Sequence, residues 1–346
     1  MVENSRGLTP SEEQLLAFIR DGRVDAATAA GGAGAQALTP RAQRALLALM
    51  AGGAVAMTVG FVGAGRLGAT LASALLETGY RVTAVASQHL AAAQAMAIAL
   101  GPDVEFTTDA GRVAAACDLV FLTVPDAAIA PTCRSIAWEP RHRVVHCGGA
   151  LGLDALAGVT AAGGIAGCLH PLQSFPSRSP EPERLRGIFC GVEGADPLGP
   201  LLEQMVTRFG AQPFRLEGVD RTLYHAAAVF VSNHVVALAS AAGRLWTLAG
   251  LPDRLGRQAL SPLLLAASAN VAALELRDAL TGPVARGDVG TVEAHLQALA
   301  ADPALRELYR ALSVELLRLP LLHEPGSASR LRGLLEDGDG NGRAAP

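Results

Sequence analysis

The run Gly63-Ala64-Gly65-Arg66-Leu67-Gly68 has the spacing Gly-x-Gly-x-x-Gly. Its chemistry is anion binding by backbone. The first glycine permits a tight turn, and the second lets main chain approach a pyrophosphate. The third lets the next helix pack close to a strand, with its N-terminus facing the anion. Such a run is weak by itself in a glycine-rich chain. Here an apolar stretch, Thr58 to Val62, stands directly before it and a helix-forming stretch, Ala69 to Leu76, directly after it. This order predicts that Gly63, Ala64, Gly65, Arg66, Leu67 and Gly68 cradle a dinucleotide.

A second group suits proton transfer and substrate orientation. His225, Ser232 and Asn233 stand at i, i+7 and i+8 in the stretch that begins at Arg221. One continuous helix would set all three on one face, since 3.6 residues make a turn. In an otherwise apolar helix such a stripe is costly to bury without purpose. The expected roles are His225 as acid or base, Asn233 as substrate orienter and Ser232 beside it; the alternative is hydrogen bonding between helices of the core. His170, in His170-Pro171-Leu172-Gln173-Ser174-Phe175, follows a strand-like run and is a further pocket candidate, with a structural histidine as the rival reading. His146-Cys147-Gly148-Gly149 also ends a strand, where the glycine pair would allow close approach of cofactor or substrate. Arg286, after the break at Thr281-Gly282-Pro283, could hold a substrate carboxylate or serve only as a salt-bridge partner.

Composition removes several chemistries. All 28 basic residues are arginine, so no Schiff-base, phosphate-loop or general-acid lysine exists. Net charge is −4, which gives no nucleic-acid footprint. The histidine spacings match no compact metal motif, and no metal is expected. Five cysteines without a Cys-x-x-Cys pair suit reduced, buried thiols in the cytoplasm. The most apolar long stretch, from Tyr224 to Gly243, carries His225, Asn233 and His234 and is read as a buried helix, not a membrane span.

The elements that position these groups follow from periodicity. Strand-like runs at Thr58–Val62, Arg81–Ala86, Leu119–Val124 and Val144–Cys147 alternate with helical stretches, which predicts a doubly wound α/β sheet of parallel strands. Ile165–Leu169, Gly187–Val192 and Pro213–Leu216 extend it. Beyond about residue 218 only helical patterns remain, at Arg221–Ala249, Pro252–Leu276, Val289–Leu299 and Pro303–Leu319. The expected organisation is an N-terminal helical appendage over 1–56, a dinucleotide-binding domain over 57–217, an all-α domain over 218–322 and a tail over 323–346. The second strand ends Ser87-Gln88-His89 with no carboxylate for a ribose 2′-hydroxyl, which favours NADP over NAD. The third ends Val124-Pro125-Asp126, where the backbone of Val124 and Pro125 would pass the nicotinamide ribose and Asp126 would cap a helix.

Taken together, the segments Val59–Gly68, Asp118–Ile129, His146–Ala150, His170–Phe175, Tyr224–Leu238 and Ala279–Asp288 resemble the Rossmann-like family that carries the helical domain of unknown function 2520. That family is similar to the 6-phosphogluconate-dehydrogenase-like superfamily, which includes pyrroline-5-carboxylate and ketopantoate reductases. The resemblance implies an NADP-linked oxidoreductase and a homodimer formed through helices, and supplies no substrate; the expected reaction is hydride transfer between the nicotinamide and a small carbonyl or imine substrate, an acid. The alternative is a non-enzymatic NADP(H)-binding sensor. The chain departs from the related ketopantoate reductases and β-hydroxyacid dehydrogenases, whose helix lysine lies one turn before an asparagine: Asn233 fits the asparagine, but Val229 and Phe230 occupy the preceding turn. Gln88 stands where family members often carry arginine, and Gly148 where a serine is expected.

Overall fold

The computed structural model describes residues 57–321 and 326–336. The expected appendage over 1–56 and the last ten residues lie outside them. The described chain forms two compact units, one through Phe230 and one from Val231.

The first unit is built on a sheet of eight strands. In chain order they are β1 (Thr58–Val62), β2 (Arg81–Ala86), β3 (Glu105–Thr107), β4 (Leu119–Leu122), β5 (Arg143–His146), β6 (Ile165–Pro171), β7 (Phe189–Gly194) and β8 (Gln212–Arg215). The spatial order is β3-β2-β1-β4-β5-β6-β7-β8. The chain order reverses direction across β1 and β4, so the crevice at their C-terminal ends is the place where such sheets bind ligands. Helices α1 (Arg66–Glu77), α2 (Leu90–Leu100), α3 (Ala110–Ala116), α4 (Asp126–Arg134), α5 (Ala157–Ala161) and α6 (Leu198–Arg208) cover the two faces.

The central strands are buried on both faces, which is why they read as unbroken apolar runs. Alternation along β1 still sorts the two cores. Val59 and Phe61 pack with Leu71, Leu75 and Leu119 on one side. Val62 packs with Val120, Leu122 and Val113 on the other. Phe61 and Phe121 stack across β1 and β4 with ring centroids 5.1 Å apart. Where these two strands begin, Asp118 Oδ2 accepts from both the backbone N–H and the hydroxyl of Thr58 at 3.0 Å, and these bonds hold its carboxyl below the usual carboxylate range.

Four expectations are corrected. The sheet is not wholly parallel, because β7 runs antiparallel to β6. The short edge strand β3 was not foreseen, since its Glu105 and Phe106 are exposed and show no apolar pattern. The helix expected over Arg221–Ala249 is broken at Ser232, whose φ of −121° and ψ of −74° are not helical, into α7 (Arg221–Val231) and α8 (Asn233–Leu248). It is also not buried. Arg221–Leu248 is long and apolar enough by composition to cross a membrane, with mean hydropathy 1.5, yet none of its most apolar window is buried. Periodicity reports an apolar face but not what covers it.

The second unit begins with α8 and α9 (Asp253–Ala273), which pack on each other, and the short α10 (Leu276–Ala279) and α11 (Pro283–Arg286) follow. Its core is formed by α11 with α12 (Val289–Ala298), α13 (Pro303–Leu316) and α14 (Ser327–Glu336), through Val284, Val292, Leu296, Leu331 and Leu335. The expected tail is thus in part a packed helix: Leu331 is fully buried, and Arg310 Nε donates to Leu335 O at 2.8 Å.

Candidate functional site

The glycine loop leaves β1 and enters α1 at the crevice, and its three glycines have different reasons. Gly63 has φ +117°, a left-handed conformation, and a Cβ there would lie 2.6 Å from the backbone of Thr123. A Cβ on Gly68 would lie 2.5 Å from Gly63 O, so this glycine sets the close approach of α1. Thr123 Oγ1 donates to that same carbonyl at 2.7 Å and ties the loop to β4. Gly65 is different, because a Cβ there would meet only Thr123 O at 3.8 Å. Among the described residues no neighbour requires glycine at 65, and the open space beside it faces a cleft. Gly65 is also the N-cap of α1, which has neither a side-chain cap nor an acidic residue in its first turn. Its leading N–H groups are left for an anion.

That cleft has a volume of about 740 Å³, within the range of roughly 300–1,000 Å³ usual for cofactor sites. Gly63, Ala64, Gly65 and Arg66 line it, with Ser87, Gln88 and His89 from the end of β2 and Thr123, Val124 and Pro125 from the end of β4. Eight of the ten residues expected to hold the dinucleotide are therefore brought together. Leu67 instead packs against the core, and Gly68 against Gly63 and Thr123. Asp126 is not a cap, since Pro125 holds that position and Asp126 begins α4. The lining residues that were not expected include two charged ones: Asp109, whose carboxylate accepts from Gly111 N at 2.8 Å and caps α3, and Arg178 from the loop between β6 and β7.

Beside the cleft lies a cluster built on the ends of β5 and β6 and on α7. His170 Nδ1 is 2.7 Å from the Tyr224 hydroxyl, and the two rings meet edge to face. The His225 ring follows, its centroid 6.2 Å from that of His170. The glycine pair after β5 joins the two regions. A Cβ on Gly148 would lie 3.2 Å from Asp126 Oδ1, next to the cleft wall at Pro125. A Cβ on Gly149 would lie 2.7 Å from both His170 Nε2 and His225 Cδ2. The pair does permit close approach, but histidine rings use the space at Gly149.

Burial lowers the His170 pKa to about 4, assisted by His225 and Arg221, so its imidazole is neutral at pH 7. Burial raises the Tyr224 pKa to about 12, so its phenol keeps its proton. His146 is fully buried; its Nδ1 accepts from Gly148 N at 3.2 Å, and burial again moves its pKa to about 4. It supports the loop after β5 and does not face the cleft. Arg221, at the start of α7, is 9% exposed and lies 3.2 Å from Glu193 on β7. Arg221 and Tyr224 fasten α7 to the sheet, which explains why the first unit continues past residue 217 to Phe230.

The remaining expected residues lie at and beyond the helix break. Ser232 and Asn233 are exposed, which removes the burial cost argued for them, and Ser232 Oγ donates to Asn233 Oδ1 at 2.9 Å. A single helical face does not carry His225 through to Asn233, because Ser232 interrupts the helix. Arg286 is exposed at the end of α11, next to the helix-capping Asp288. Tyr224, Arg221 and Glu193 were missed by sequence reasoning. The interval from Arg221 to Tyr224 to His225, which turns all three toward one side of a helix, was the available signal.

A doubly wound sheet with a glycine-lined crevice at its switch point defines the dinucleotide-binding class. A model of the Rossmann-like domain matches residues 53–171, and one of the domain of unknown function DUF2520 matches residues 188–316. The chain thus carries a Rossmann-like domain followed by a C-terminal DUF2520 domain. Among solved structures it is similar to BF3122 of Bacteroides fragilis, described as a candidate NADP oxidoreductase, with 26% identity and a TM-score of 0.63 over 75% of this chain and 97% of that one. TM1727 of Thermotoga maritima matches with 25% identity and a TM-score of 0.57 over 75% and 96%. The reductive aminase of Aspergillus terreus, solved with NADPH, shares the fold at 15% identity and a TM-score of 0.56 over 79% and 98%. No curated protein matches the chain.

Proposed function

We propose that the protein is an NADP-dependent oxidoreductase acting on a small carbonyl or imine acid. The observation that carries this reading is the open, glycine-lined cleft at the uncapped N-terminus of α1, with a histidine–tyrosine cluster adjoining it across Gly148 and Gly149. The likeness to BF3122 supports it. NAD is the less favoured cofactor, because the end of β2 offers Ser87 and Gln88 and no carboxylate.

In this reading the backbone of Gly63 to Arg66 holds the pyrophosphate, and Val124 and Pro125 pass the nicotinamide ribose. The cofactor supplies hydride. His225 donates the proton that the reduced carbonyl or imine requires. Neutral His170 keeps one ring N–H; with Tyr224 donating to Nδ1, that proton sits on Nε2 and donates a hydrogen bond to substrate.

We further propose a homodimer formed through the helical unit. Leu263, Leu265, Val236 and Leu248 are each at least 67% exposed, an apolar surface that a second copy would cover. A cytoplasmic location fits the five buried, unpaired cysteines.

The test is a fluorescence titration with NADPH and with NADH, then turnover against 2-keto acids and cyclic imino acids. The expected result is tighter binding of NADPH and NADPH oxidation with a member of that panel. His225→Ala should keep cofactor affinity and lose turnover; full turnover in that variant would remove His225 from the mechanism. Binding without turnover would favour a sensor, a reading kept open by the absence of any lysine.

A further inference from the structure

The loop between β6 and β7 covers residues 172–188. Antiparallel neighbours can be joined by about 2–5 residues, so this length is not needed to make the turn. The loop is anchored at several points. Phe175 packs against the core, and Leu185 is fully buried. Glu181 N donates to Thr70 Oγ1 at 3.2 Å, and Thr70 is a buried residue of α1, the helix that leads out of the glycine loop. Between the first and last of these anchors the chain carries Arg178 to the cleft, where it lines the same space as Gly63 to Arg66 and Ser87 to His89.

The charges of the loop and the cleft are unevenly engaged. Arg184 of the same loop is paired with Glu181. The carboxylate that lines the cleft, Asp109, is turned onto the N–H of Gly111. Arg178 is exposed and makes no hydrogen bond or ion pair among the described residues. A guanidinium is suited to pair with a phosphate by parallel N–H bonds. In sheets of this kind an arginine near the second strand accommodates the 2′-phosphate of NADP, and this chain has Gln88 there.

We propose that Arg178 is a cofactor-binding residue, supplied to the dinucleotide cleft by the β6–β7 loop and recognising phosphate. The inference rests on the cofactor reading of the cleft given above. The phosphate that Arg178 meets is either the 2′-phosphate or the pyrophosphate, and the two have different consequences for NADH.

The experiment measures the Kd of NADPH and of NADH by fluorescence for wild type, Arg178→Gln and Arg178→Lys, without substrate. Thermal melts serve as the folding control. Loss of one charge-assisted phosphate contact should weaken NADPH binding about 10- to 100-fold in Arg178→Gln, with an intermediate loss in Arg178→Lys. NADH binding changed less than about threefold places the contact at the 2′-phosphate. An equal loss for both nucleotides places it at the pyrophosphate. The melting temperature should stay within about 1 °C of wild type, because substitutions at exposed, unpaired positions are nearly neutral. NADPH binding of wild-type strength in Arg178→Gln would overturn the inference while leaving the cofactor reading intact. Wild-type protein that binds neither nucleotide would overturn both.

Discussion

The hydroxyl of Tyr224 lies 2.7 Å from Nδ1 of His170, and each group is held in its uncharged form by burial. The two residues are far apart in sequence and come from different elements, β6 and α7. When the phenol donates to Nδ1, the proton of the neutral imidazole sits on Nε2, the atom that lies against Gly149. Tyr224→Phe removes the hydroxyl and leaves the ring that packs on His170 and Phe214. Turnover is expected to fall at least tenfold, with NADPH affinity changed less than twofold. Steady-state kinetics beside a fluorescence titration checks this, and unchanged turnover would reduce the pair to a packing contact.

Gly149→Ala tests whether the two histidine rings must sit where they do. The added Cβ would be 2.7 Å from both His170 Nε2 and His225 Cδ2, inside any real contact distance. The rings must move, at a cost of about 1–3 kcal/mol of stability for overpacking. If catalysis depends on this placement, kcat should drop at least tenfold while cofactor binding survives. A variant with wild-type kcat would show that the rings tolerate displacement.

Acid should destabilise the first unit through His146 and His170. Both have folded pKa values near 4, below the ordinary value of 6.5. Between these values the unfolded chain binds more protons than the folded one, so stability falls as pH drops from about 6.5 toward 4 and is constant with respect to these groups above that window. At 1.36 kcal/mol per unit, each contributes up to about 3 kcal/mol. Urea midpoints measured from pH 7.5 to 4.5 should show this slope, and it should be shallower in His170→Gln. A flat profile would mean that neither histidine is held neutral.

Much of the sheet was legible because its strands are buried on both faces and so appear as continuous apolar runs. The loop from Gly63 to Gly68 was legible because its neighbours in sequence are also its neighbours in space. The His170–Tyr224–Arg221 group was not, since the spacing of Arg221, Tyr224 and His225 sets them on one side of α7 but does not say that β6 and its His170 lie against that side. Arg178 was missed for the same reason: its place in the cleft depends on where Glu181 meets Thr70. The stripe from His225 to Asn233 failed as geometry at Ser232, a single residue whose departure from helical angles no propensity signals. The stretch from Tyr224 to Gly243 looked like a buried helix because an apolar sequence does not say what covers it.

The pairing of Arg221 with Glu193 gives the last test. The Arg221 guanidinium is nearly buried and its three nitrogens make no hydrogen bond of good geometry among the described residues, where the Glu193 carboxylate at 3.2 Å is its ion-pair partner. Burial pushes the Glu193 carboxyl up and Arg221 pulls it back down. Glu193→Gln keeps the shape and removes the charge, leaving a buried cation without a counter-ion, which costs about 3 kcal/mol. Replacing both residues, as Arg221→Met with Glu193→Gln, removes the unpaired charge and should recover most of that loss. Because Arg221 begins the helix that carries Tyr224 and His225, the single variant should also lose turnover more than the double variant does. Chemical denaturation of the two proteins decides the matter: a loss below about 0.5 kcal/mol in Glu193→Gln would class the pair with solvent-screened surface bridges and free α7 from this anchor.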